Sequence, residues 1–210
     1  VSWQGTLALG SWIPQWAVAS PGVPLEAVSS LLAGWVGQPL LPESLSGTAV
    51  FDLTISGPFT DLTVAGPVAL SPVCLGPIEA DALEGEINLS QGALRFSHGK
   101  LALGSGTIRF SGELDLKQAS PGLRLDYAGR SLPLSRFARW AGLKFPLEGT
   151  GAVTGVLSGS LDRPELDAQL KFEGVSVVGL PLGQGEAHAT LQHQVLRVEP
   201  LTLGGVSGSL

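Results

Sequence analysis

Long hydrophobic runs are missing from this chain, although 44% of its 210 residues are apolar. No run approaches the ~18 residues that span a bilayer. The apolar surface is therefore distributed in a pattern, not concentrated in one span. Charge is also scarce: Asp, Glu, Lys and Arg make up 14%, against about 25% in an ordinary soluble domain. The formal net charge of -6 excludes the basic stripe that nucleic acid requires, and with it a nucleic-acid partner. A single cysteine, Cys74, rules out an internal disulfide and is neutral on compartment. Methionine is absent, Val1 is the first residue, and no signal peptide is visible. The expectation is a fragment of a longer protein, with any membrane anchor or export signal outside it.

Constellations that carry chemistry are missing too. His188 and His193 are five apart on strand-like sequence, so they point to opposite faces and share no metal. Glu113 with Asp115, and Glu79 with Asp81, share a face. A carboxylate pair can do acid–base work, but a spacing of two on a strand is what a solvated face gives anyway. No Gly-x-Ser-x-Gly elbow occurs. Gly149-Thr150-Gly151 leads into a strand, not a helix, so it is no dinucleotide loop. Cys74 sits between Pro72 and Pro77 without a nearby histidine and reads as a small buried residue. The reading is a non-enzyme with no catalytic residue, no cofactor and no metal site. The five tryptophans fall near the expected helices, where core packing is their role.

What the chain does have is Gly and Pro, 29 and 15 of them, punctuating many short apolar segments. It also repeats itself. Ser46 to Leu70 is answered by Glu148 to Phe172, Gly47-Thr48 by Gly149-Thr150, and Ser56-Gly57 by Ser158-Gly159. The offset is 102 at the start (149 − 47) and 104 after the longer second turn (166 − 62). Upstream, Pro24-Leu25 matches Pro133-Leu134, each opening a short helix. Downstream, Leu101-Ala102-Leu103-Gly104 matches Leu201-Thr202-Leu203-Gly204. Repetition of this kind is read first because it sets the whole fold.

The expected organisation is residues 1–22 as the end of a preceding repeat, 23–127 as unit one and 128–210 as unit two. Each unit of roughly 100 residues is a helix (Val23 to Trp35 in the first) followed by about eight short strands. Trp12 and Trp16 are expected to pack beside the first helix. Alternation such as Leu166, Ala168, Leu170, Phe172 against Asp167, Gln169, Lys171, Glu173 means a sheet with one apolar and one wet face. Turns of two to five residues suit antiparallel meanders. The fold class is all-β with short helices, an elongated antiparallel sheet. Its apolar face either closes on itself as a packed sandwich or curls into a U-shaped trough. With strands ~4.8 Å apart, about sixteen to eighteen of them extend roughly 80 Å.

Three segments of the second unit carry a family resemblance. They are Leu132-Pro133-Leu134-Ser135-Arg136-Phe137, Phe145-Pro146-Leu147-Glu148-Gly149, and Leu157-Ser158-Gly159-Ser160-Leu161-Asp162-Arg163-Pro164-Glu165-Leu166-Asp167. Together they resemble the repeat of the TamB family, within the AsmA-like group of bacterial envelope proteins. In the first unit Asp61 replaces the Pro-containing turn, so that copy is degenerate. The resemblance implies a β-taco, a sheet folded around a hydrophobic groove that shields phospholipid acyl chains between inner and outer membranes. It implies a periplasmic location, an inner-membrane anchor and an outer-membrane barrel partner of the TamA or BamA type, both held by regions outside this chain. It supplies no catalytic residues.

On that reading the groove is lined by Phe51, Leu53, Ile55, Leu62, Val64, Ile87, Leu89, Leu94, Phe96, Leu101, Leu103, Ile108, Phe110, Leu114, Leu166, Leu170 and Phe172. The rival is a structural or adhesive β-repeat module whose closed core packs these residues against each other. A β-solenoid enzyme is a third reading, without the clustered charges on one sheet that it needs.

Overall fold

When apolar and polar side chains alternate at every second residue, a backbone can satisfy both faces and its own hydrogen bonds as an antiparallel sheet, apolar on one side. The computed structural model of the protein describes residues 2–8, 13–25, 27, 45–58, 61–75, 78–117, 120, 122–140, 144, 146–160 and 163–204. Among these, thirteen strands form one sheet. They are β1 (Ser2–Ala8), β2 (Ile13–Pro24), β3 (Leu45–Ser56), β4 (Thr63–Leu75), β5 (Ile78–Ala80), β6 (Ala82–Ser90), β7 (Ala93–Leu103), β8 (Gly106–Asp115) and β9 (Gly122–Pro133). Helix α1 (Leu134–Trp140) follows, then β10 (Leu147–Ser160), β11 (Arg163–Val177), β12 (Leu180–Gln192) and β13 (Val195–Gly204). Each strand pairs antiparallel with its sequence neighbour, except that β4 pairs with both β5 and β6.

Strands β5 and β6 are one strand broken at Asp81. Their partners on β4 follow a single register, from Leu75↔Ile78 and Val73↔Ala80 to Leu70↔Leu83 and Val64↔Leu89. The interruption falls where β4 carries Pro72, which has no N–H to give the ladder. The Ser71 hydroxyl donates to the Asp81 carbonyl there instead, at 3.1 Å.

The strands are fewer and longer than expected, because bulges interrupt the alternation without ending the strand. The expected short strands around Leu94–Phe96 and Leu101–Leu103 are both part of β7. The register shifts between Phe96 and Gly99, and His98 has a φ of 53°. Twelve strands along the pairing path span about 50 Å at ~4.8 Å each, not 80 Å. The expected boundary at 127/128 falls inside β9. Of the first expected helix, Val23 and Pro24 belong to β2, and Leu25 and Ala27 are helical; the remainder lies outside the described residues. Trp12 also lies outside them. Trp16 is a β2 residue opposite Gly5 and Ile55, within the sheet.

Three tight hairpin turns place both central residues at positive φ: Gln91-Gly92, Val178-Gly179 and His193-Gln194. This is the two-residue geometry that matches strand twist. His193 is thus a turn residue, not a strand residue. Gly57, just after β3, and Gly159, next to last in β10, have similar φ values of 100° and 93°. Gly47 and Gly149, at φ 145° and 119°, each sit beside a register shift in the same two strands.

Large inward side chains face glycines on the neighbouring strand. Phe96 faces Gly112, Phe110 faces Gly99 and Tyr127 faces Gly155. At Gly112 and Gly155 the next strand's carbonyl, Arg124 or Asp167, comes so close that a Cβ would overlap it. Bulges and glycine kinks of this kind are devices that bend a sheet. Gly112→Ala should therefore lower stability in urea by about 2 kcal/mol or more. Val178→Asn, at an exposed β-branched residue held at φ 51°, should raise it by about 1 kcal/mol.

Candidate functional site: the apolar sheet face

Residues directly opposite in an antiparallel ladder share a face, so the register shows which side chains meet. One row runs without interruption from β2 to β13: Val23, Ala49, Leu70, Leu83, Leu101, Ile108, Gly129, Val153, Leu170, Ala187 and Leu201. A second runs through Gly66, Ile87, Phe96, Gly112, Leu125, Leu157, Leu166, Leu191 and Leu196. No charged side chain stands in either. Between them, Ser20 and Tyr127 bring hydroxyls onto this face. Ser20 is buried and accepts from Gly22 N–H at 3.3 Å. Burial, and secondarily the Asp167 carboxylate, raises the Tyr127 phenol above its usual pKa, so it remains protonated at neutral pH.

Sixteen of the seventeen expected lining residues lie on strands, and the pairing puts them on this one face. Leu62 precedes β4 and is half-buried. Ile55 and Leu103 are buried, at 8% and 0% exposure. The others are half-buried, neither sealed in a core nor freely solvated. Leu70, Leu83, Leu125, Val153 and Leu157 also stand in the rows and were not among the expected lining. On β10 glycines 151, 155 and 159 take alternate inward positions, which mutes the hydrophobic signal there.

Full burial concentrates at one end. Ala80, Leu103, Leu132, Val153, Ala168 and Ala189 form a cluster, with Phe137 of α1 packed on it. Helix α1 starts directly after Pro133, which suits a first turn. It buries Leu134 and Ala138, four residues apart on one side of the helix. Arg136 fastens it: Nη2 donates to Asp81 Oδ1 at 2.8 Å, and Nη1 to the Glu79 carbonyl at 3.2 Å. Asp81 also accepts from the Gly104 N–H. Asp81 is therefore a clamp joining β5–β6, the end of β7 and α1, not the idle member of a solvated carboxylate pair.

The opposite face is charged and cross-linked between strands. Arg95 meets Glu113 at 2.8 Å, Lys171 meets Glu186 at 3.3 Å, and His188 meets Asp167 at 3.0 Å. These pairs are exposed, and such pairs stabilise little. Glu113 is thus engaged with Arg95. Two depressions, about 940 and 620 Å³, open on this charged side. The larger is bordered by Lys100, Arg109, Asp126, Thr154, Asp167 and Gln169. Among the described residues no group of three or more His, Cys, Asp or Glu is placed to hold a metal, and no helix is long and apolar enough to cross a membrane. Cys74 is half-buried on β4.

The chain exposes 13342 Å². A compact monomer of 21.6 kDa exposes about 9,200 Å², so the excess is roughly 45%. Compared with protein-family models, curated proteins and solved structures, the chain matches none.

The Asp81 carboxyl is held below its ordinary pKa, first by Gly104 N–H and then by Arg136. A depressed carboxyl adds stability above the ordinary range and loses it as pH falls through the lower native value. Amide exchange in residues 134–140, corrected for intrinsic rates, should stay constant from about pH 7 to 5 and quicken only below about pH 4. Loosening between pH 7 and 5 would assign the clamp to another group.

Proposed function

We propose that this chain is a non-enzymatic lipid-conducting segment of a TamB-like, AsmA-like envelope protein. The sheet curls into a U-shaped groove that shields phospholipid acyl chains on their way between inner and outer membranes, supporting outer-membrane biogenesis. The observation that carries the reading is the uncharged, mostly half-buried face that runs from β2 to β13 of a single sheet among the described residues. Each CH₂ moved from water onto such a face gains about 0.8 kcal/mol. Rows of leucine, phenylalanine and glycine hold a chain without fixing its position, which suits sliding. The charged opposite face keeps the outside wet.

Curling is supported by the bulges in β7, β9 and β11 and by the glycine kinks of β8 and β10. Duplication is supported by Gly47 with Gly149, Gly57 with Gly159, and the paired helix starts Leu25 and Leu134, buried at 4% and 6% exposure. On this reading the protein lies in the bacterial periplasm. Segments beyond these residues tether it to the inner membrane and join it to a barrel of the TamA or BamA type.

The buried cluster around Leu103 and Leu132 favours the rival, a structural or adhesive β-module with a closed core. Native mass spectrometry of the purified protein, with lipid extraction, separates the two. The conduit should carry phospholipid and lose it in Leu53→Asp or Leu170→Asp variants that keep the wild-type circular dichroism. Lipid-free protein that also refuses a fluorescent acyl chain would leave the closed module standing.

A further inference from the structure

Helix α1 has only seven residues, too few to stand alone in water, so its contacts hold it. The contacts fall far apart on the sheet. Leu134 Cδ2 lies 3.2 Å from where a Cβ on Gly151 of β10 would be, and Arg136 lies beside Gly104 at the end of β7. Arg136 also bonds Asp81 and Glu79 at the β5–β6 break. The helix therefore crosses the strand ends from β10 to β5, at one end of the apolar rows. Beneath it the inward side chains are buried; beyond it most are half-buried.

The tie between Arg136 and Asp81 has the properties of a fastening that can open. Their side chains are 26% and 50% exposed. When the helix lifts, both charges pass into water, and neither is left buried and unpaired, the outcome that makes breaking a fully buried pair costly. The matching position of the first unit is Ala27, so this tie is peculiar to α1.

We propose that α1 is a latched end-stop. The Arg136–Asp81 pair holds it across one end of the apolar face, and its release adds the Leu103–Leu132–Val153 patch to the surface open to an acyl chain. The latch stands on geometry; its ligand rests on the lipid-conducting reading.

Asp81→Asn removes the charge and keeps an acceptor for Gly104 N–H. At neutral pH, exchange of the 134–140 amides should quicken about tenfold in this variant while β8 to β10 stay protected. Uptake of a fluorescent fatty acid should rise with it. Glu113→Gln, which breaks the Arg95 pair on the charged face, should leave α1 unchanged. Unaltered helix exchange in Asp81→Asn, or exchange that quickens throughout the sheet, overturns the latch. Faster helix exchange without added fatty-acid uptake upholds the latch and overturns its lipid ligand.

Discussion

Cross-strand register is the constraint on which the structure depends. A slip of one residue between β7 and β8, for example, would carry Arg109 and Glu113 of β8 onto the apolar face. The bulges preserve the phase. Inward positions are spaced by two along each strand but by three across a bulge. Phe96 is followed by Gly99, Gly129 by Leu132, Phe172 by Val175 and Val198 by Leu201. The extra residue bends the strand while both flanks keep facing the same way. Separation of apolar from charged side chains and bending of the sheet are thus achieved by the same insertions.

That device decides what the sequence could disclose. The two faces were legible wherever alternation ran unbroken, as from Leu166 to Phe172. The same alternation, broken at Ser97–His98, read as two strands where the fold has one. Strand β10 was legible as a strand but poor as lining, because glycine at alternate inward positions carries no hydrophobic signal. The Asp81–Arg136 tie joins residues 55 apart in sequence, and no local pattern announces such a contact. Asp81 looked like half of a solvated pair because its partners arrive from β7 and α1.

The sheet is open as well as long. Among the described residues strands β1 and β13 are its edges, and β13 exposes Leu196 and Leu201 at 60% and 57%. An unpaired edge with apolar side chains invites another strand. The two depressions lie on the charged side, where Lys100 and Arg109 stand directly opposite each other as like charges that repel. Glu84 reaches Lys100 at 3.6 Å from the other side and offsets part of that repulsion.

The matching of bulk against glycine has an evolutionary corollary. Phe110 fills the space that a side chain on Gly99 would occupy, with its ring 2.6 Å from that Cβ position. Volume is therefore conserved by the pair and not by either site. Among descendants of this sequence, the aromatic is free to migrate to the neighbouring strand if the glycine moves the other way. Drift along the face then proceeds by exchange between strands, leaving the volume at each pair constant while the identity at each position changes.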